Sequence, residues 1–251
     1  MAESVTGGRL VQSGAHRNVK GKAVRNTILL SLPEEEFREV SEALDHVILA
    51  RHQSLHEPSR DLEFVYFPNG GLISLVVATE DGKTVEAGVV GKEGIVGTPL
   101  VVGLHRSPLR EIVQFPSDGF RIRAAALQAA LPGAPVFQMT LSRYAVIQGM
   151  QVSQTAACNR LHDVAQRLAR WLLTAVDRVD CDSLPITHDF LATMLGTDRP
   201  SVTVAAGILQ KKKAIEYTRG TVKILNRRTL EESACECFRV IEQLNDDLGL
   251  A

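Results

Sequence analysis

A chain of 251 residues with 45% hydrophobic residues, 23% charged residues and a formal net charge of -1 has the makings of a globular protein with one large or two modest cores. Residues 1–22 hold no continuous apolar stretch, so neither a signal peptide nor a membrane anchor is expected and the protein is predicted to be cytoplasmic. The four cysteines, Cys158, Cys181, Cys235 and Cys237, lack the spacing of a disulfide framework or zinc ribbon and are expected to be reduced thiols.

In chain order, residues 1–24 are polar and Gly-rich and are predicted to be a disordered tail. Leu30 to Leu44 reads as one short amphipathic helix, with Pro33 and three glutamates suiting its N-terminal end. From His46 to Arg123, β-rich runs (47–49, 63–67, 72–77, 85–90, 111–115 and 120–122) alternate with turn signals such as Pro68-Asn69-Gly70-Gly71. Short strands at this spacing predict an antiparallel barrel or jelly roll across residues 25–134. His52 and His56 fall between strands and are expected in a solvated loop.

Between Val136 and Asp177 there is no proline and one glycine, while Leu161, Val164, Ala165, Leu168, Trp171, Leu172 and Val176 recur near helical spacing. The expectation is one helix over 135–179, about 60 Å long, with two helices broken near Gly149 as the alternative. One small barrel does not cover such a helix. Its stripe of Leu161, Val164, Leu168, Trp171 and Leu172 is therefore predicted to form the seam of a homodimer.

Residues 180–251 carry the most specific pattern. Thr187 is a candidate N-cap, Phe190, Leu191, Met194 and Leu195 face a core, and Gly196 ends the first helix. Asp198 caps a second helix, which tolerates Pro200 in its first turn and buries Val202, Ala205, Ala206 and Leu209. Small residues at Ala192 and Gly196 allow the two helices to cross closely. Two alternating runs around Arg219-Gly220 follow as a β-hairpin. A helix-turn-helix with a wing is the reading, against an αα-hairpin used only for packing. Between Leu184 and Arg228 the basic residues are Arg199, Lys211, Lys212, Lys213, Arg219, Lys223, Arg227 and Arg228, against three acidic ones. This local cationic excess suits a DNA surface.

The order of barrel, long helix and winged helix-turn-helix resembles the Crp/Fnr superfamily of bacterial transcription regulators. The resemblance rests on Ile186 to Gly196, on Val164 to Leu173, which is similar to the end of the family's dimerisation helix, and on Ala234-Cys235-Glu236-Cys237-Phe238. It implies an α+β fold: an antiparallel β-roll or jelly-roll sensor domain, a long dimerisation helix and a C-terminal winged helix-turn-helix. It also implies a homodimer on double-stranded DNA carrying an inverted repeat, with RNA polymerase as a further partner and no membrane. Base-reading positions fall on Arg199, Pro200 and Val204, and phosphate-contacting ones on Thr187, His188 and Ser201. Thr203, Lys211 and Arg219 complete the DNA-facing set. Only Arg199 is a strong base reader, through a bidentate contact to guanine.

The resemblance offers a cyclic nucleotide as effector, with Glu93, Gly94, Arg106, Ser107 and Ser153 facing it. Arg106 stands further from Glu93 than the family's cassette has it, and Val152-Ser153 replaces the Thr-Ser that reads a purine. Losing that hydroxyl leaves a base edge without a partner, so no cofactor is assigned. The alternative is a barrel that kept its glycines for turns. No metal site is expected: the family's N-terminal cysteine cluster is absent, and two residues apart on one helix Cys235 and Cys237 would point nearly opposite ways. No histidine pair, nucleophile elbow or phosphate loop points to an enzyme. The remaining readings are a winged helix that binds protein instead of DNA, and an enzyme acting on a nucleotide.

Overall fold

The computed structural model describes residues 17–249. A short hairpin, β1 (Asn18–Val19) and β2 (Lys22–Ala23), is followed by α1 (Thr27–Ser31) and α2 (Glu34–Glu42). Part of the expected tail is thus ordered: Val19 and Val24 are buried in the N-terminal core, while residues 1–16 lie outside the described part. The helix expected over Leu30–Leu44 is two helices. Pro33, with extended backbone, separates them and stands as the N-cap of α2, because proline disfavours helical backbone in the residue before it.

The roll is built from β3 (Asp45–Leu49), β4 (Ser54–His56), β5 (Phe64–Pro68), β6 (Leu72–Ala78), β7 (Thr84–Val90), β8 (Arg110–Phe115) and β9 (Ser117–Arg123). All pairings are antiparallel, in two sheets of order β4-β8-β6-β7 and β3-β9-β5. The six predicted strands are present, and β4 is the one missed. His56 on it is buried and pairs with buried Glu111 of β8, so it belongs to the roll's interior and not to a solvated loop. The pattern concealed β4 because its bond partners come from β8, more than fifty residues away.

After α3 (Ala124–Ala130) come the two helices α4 (Pro135–Leu161) and α5 (Val164–Val179). The carboxylate of Glu36 accepts from the backbone N–H groups of Val136 and Phe137 at 3.1 and 2.8 Å, satisfying donors that the first turn of α4 leaves free. The predicted single helix over 135–179 breaks at His162-Asp163, and Gly149 lies unbroken inside α4. Asp163 caps α5 by accepting from Gln166 N–H, and the Gln166 side chain accepts in return from Asp163 N–H. This capping box makes a new helix start cheaper than continuation.

The C-terminal part contains β10 (Ser183–Leu184), α6 (His188–Leu195), α7 (Arg199–Lys211), β11 (Ile215–Thr218), β12 (Thr221–Ile224), α8 (Arg227–Ser233) and α9 (Cys237–Asp246). Helix α5 is part of its core. Leu168, Trp171 and Leu172 are buried with Leu191, Val202, Leu209 and Val222, while Val164 packs at the margin. The predicted dimer seam is therefore corrected at Leu168, Trp171 and Leu172, whose apolar face is covered by their own chain; Val164 is only partly covered. Leu161, the fifth, stands 75% exposed at the end of α4. Helix α9 returns to α4, where Gln151 Nε2 donates to Asn245 Oδ1 at 2.6 Å and Leu248 enters the N-terminal core.

Candidate nucleic-acid interface and sensor pocket

The geometry of the helix-turn-helix follows from its caps. Thr187 Oγ1 accepts from Phe190 N–H at 3.2 Å to start α6, and Asp198 Oδ1 accepts from Ser201 N–H at 2.7 Å to start α7. Between them Gly196 adopts φ +58°, a left-handed turn that ends α6. There a Cβ would also meet Val85 of the β-roll at 2.8 Å, so this glycine serves both the turn and the docking of the two parts.

Along the outer face of α7, Arg199, Pro200, Thr203 and Lys211 are exposed, and Val204 is 65% exposed despite being apolar. Arg199 has only a long contact to exposed Asp189, at 3.4 Å, so its guanidinium is available to a base edge. Strand β12 pairs with both β11 and β10, and the exposed Arg219 sits at the hairpin tip. Thr187 is exposed and Ser201 half-buried. His188 is turned inward. Its ring stacks on Tyr217 of the wing at 4.1 Å and its Nδ1 meets Thr203 Oγ1 at 2.9 Å. Burial, followed by the nearby Arg199 charge, pushes its pKa down. It braces α6, α7 and the wing in this structure, where a phosphate contact was expected. Arg227 is likewise engaged, on Asp177 and Glu231.

In the β-roll the expected effector residues do not converge. Glu93 Oε1 receives Arg178 Nε of α5 at 2.7 Å and Gly91 N–H at 3.0 Å. Arg106 lies in the open, paired with Asp61 at 2.7 Å. Ser107 is buried and accepts from Leu109 N–H. Ser153 is on the outer face of α4, bonded to Gly149 O, while Val152 turns toward Gly88 of the roll. A Cβ at Gly94 would lie 1.9 Å from the Tyr144 hydroxyl, so the space above this glycine is filled by a buried ring. Between β7 and α4 only about 20 Å³ is free, with Gly88, Gln151 and Thr155 among its lining residues. That holds about one water and falls far short of a nucleotide.

The two parts meet through polar contacts over an apolar seam. Trp171 Nε1 donates to Glu86 Oε1 at 2.7 Å, Lys92 pairs with Asp180 at 2.7 Å, and Arg51 donates to Pro185 O at 2.9 Å. Leu72 and Phe115 of the roll join the core of the DNA-binding part. Glu86 is fully enclosed, and burial raises its pKa to about 7 against the hydrogen bonds from Ser74 and Trp171. The expectation that Cys235 and Cys237 point apart is also corrected. Cys235 precedes α9 instead of lying in it, so helical periodicity does not apply, and both sulfurs lie beside Cys158 and His162.

Among the described residues no helix is long and apolar enough to cross a membrane. Residues 166–233 match the Crp-like helix-turn-helix domain family, and no curated protein matches the chain in sequence. Solved structures with similar folds include FixK2 from Bradyrhizobium japonicum, at 12% identity and TM-score 0.66 over 76% of this chain and 98% of that one. The c-di-GMP responsive global regulator CLP of Xanthomonas campestris is similar at 16% identity and TM-score 0.61, over 76% and 99%. A CRP-family transcriptional regulator from Thermus thermophilus is similar at 19% identity and TM-score 0.60, over 75% and 96%. Residues 166–233 are thus a Crp-like helix-turn-helix domain, and the chain as a whole has a fold similar to that of Crp/Fnr-family regulators.

Proposed function

We propose that the protein reads an inverted-repeat operator as a homodimer, each protomer placing the N-terminal half of α7 in the major groove. The carrying observation is the exposed row of Arg199, Pro200, Thr203 and Val204, with Lys211 and Arg219 at its flanks. Arg199 reads guanine through paired N–H donors, Val204 packs against a thymine methyl, and Thr187, Ser201, Lys211 and Arg219 hold phosphates. His188 supports this surface from behind. The family resemblance adds RNA polymerase as the partner of the DNA-bound dimer.

The dimer seam is assigned to α4. Met139, Val146, Met150 and Leu161 are all at least half exposed and stand 7, 4 and 11 residues apart, spacings that recur along one coiled-coil seam. A second copy meeting this stripe would set two recognition helices about one helical turn of DNA apart. No cyclic nucleotide is part of the reading, since Tyr144 fills the space above Gly94. Selection of bound sequences from random duplexes is the test. A palindromic motif with a guanine lost in Arg199→Ala supports the reading; weak, sequence-independent or salt-insensitive binding overturns it.

A further inference from the structure

The last turns of α4 and the turn between α8 and α9 bring three thiols and an imidazole together. Cys158 and His162 are four residues apart and so share one face at the end of α4. Cys235 lies after α8 and Cys237 opens α9. Three sulfurs and one ring nitrogen lie within 4.8 Å of one another. Cys158 Sγ is 3.4 Å from Cys235 Sγ, and Cys237 Sγ is 3.6 Å from His162 Nδ1. Zinc bonds of about 2.3 Å to sulfur and about 2.0–2.1 Å to nitrogen, set tetrahedrally, separate ligand atoms by about 3.5–3.8 Å. The two observed distances, with all four atoms within 4.8 Å, suit a single ion, whereas an iron–sulfur cluster spreads its thiolates around several metals.

The surroundings of these four residues also suit a metal. His162 Nε2 lies 3.2 Å from Glu236 Oε1, and a carboxylate there places the ring proton on Nε2 and turns the Nδ1 lone pair toward the sulfurs. Gln154 Nε2 donates to Cys237 Sγ at 3.1 Å. All three thiols are buried. Packing alone would be served by small apolar side chains and has no use for an imidazole with an oriented tautomer.

We propose that Cys158, His162, Cys235 and Cys237 form a closed tetrahedral site for one thiophilic divalent cation of the zinc class. Binding breaks three S–H bonds, forms three sulfur–metal bonds and one nitrogen–metal bond, and releases three protons to solvent without change of oxidation state. With four protein ligands the site is structural or regulatory. It ties the end of α4 to the start of α9 across the His162-Asp163 break.

The test uses the full chain, reduced and stripped of metal under anaerobic conditions, then titrated with Co²⁺ and with Zn²⁺. One Co²⁺ per chain, with tetrahedral d–d bands and thiolate-to-cobalt charge transfer that Zn²⁺ abolishes, is the expected result. His162→Gln, which keeps all three thiols, and Cys237→Ser should each weaken the site at least about tenfold; exposed Cys181→Ser should leave it unchanged. Zn²⁺ should raise the thermal midpoint of the unmodified protein and not that of His162→Gln. No stoichiometric Co²⁺ in the reduced protein overturns the proposal, as does unchanged affinity in both ligand variants. A Cys158–Cys235 disulfide formed in air, with no metal taken up after reduction, would assign the pair to thiol redox chemistry and equally overturn it.

Discussion

Arg199 and Glu86 show how a single side chain can govern sequence reading in one case and cohesion in the other. Arg199 is exposed with one long ionic contact, so Arg199→Ala should leave folding intact and cost about 1–3 kcal/mol at the specific site, relaxing preference at one base step per half-site. Fluorescence anisotropy on matched and mismatched duplexes measures this. Lys211→Ala or Arg219→Ala should instead weaken all duplexes alike and flatten the salt slope. Glu86 is buried against Trp171, the single tryptophan, and its folded pKa of about 7 lies above the ordinary 4.5. Below pH 4.5 the group is protonated in both states and its contribution is whole. As pH rises toward and through 7 the unfolded chain ionises first, so stability is lost, by up to about 3 kcal/mol. Thermal unfolding followed by Trp171 emission should show the wild type losing stability as pH rises from about 4.5 to about 7, and Glu86→Gln should remove that loss.

At the scale of elements, the division of labour between α4 and α5 decides where the second copy of the proposed dimer would bind. The α5 stripe is consumed inside one chain, and the α4 stripe is left over. Leu168→Lys therefore places a charge in a closed core and should cost more than about 4 kcal/mol, melting the DNA-binding part instead of releasing folded monomers. Val146→Lys with Met150→Lys should keep the fold. Each lost large side chain is worth about 1.5–3 kcal/mol, so dimerisation should weaken by about tenfold or more per site. Sedimentation with circular dichroism separates the two outcomes: a folded monomer from Leu168→Lys, or an intact dimer from the α4 pair, would return the seam to α5.

For the whole molecule, the contacts of Glu86, Glu93 and Lys92 with α5 and the residue that follows it mean that the roll is docked directly on the helix-turn-helix part. The groups that would grip a nucleotide are spent on that docking or lie apart, and Tyr144 occupies the space over Gly94. The 251-residue chain is thus expected to bind its operator without added cyclic AMP, and calorimetry should show no cyclic AMP binding. Tight binding together with a large gain in DNA affinity would contradict this, since linkage requires the two to appear as one coupling.

What the sequence determined by itself is whatever rests on local chemistry. Period-two runs between turn residues marked six of the seven roll strands, and Thr187, Gly196 and Asp198 marked the ends of the two helices of the DNA reader. The capping box at Asp163 and Gln166 was equally legible, and would have split the long helix where it breaks. Only tertiary structure decided the rest, because an apolar stripe states that a face must be buried without stating what buries it. Leu168, Trp171 and Leu172 would satisfy a partner helix or their own domain equally well, and the fold supplied their own domain. The same holds for the thiols: Cys158 and Cys235 stand 77 residues apart in the chain, and α9 folding back onto α4 is what makes them neighbours.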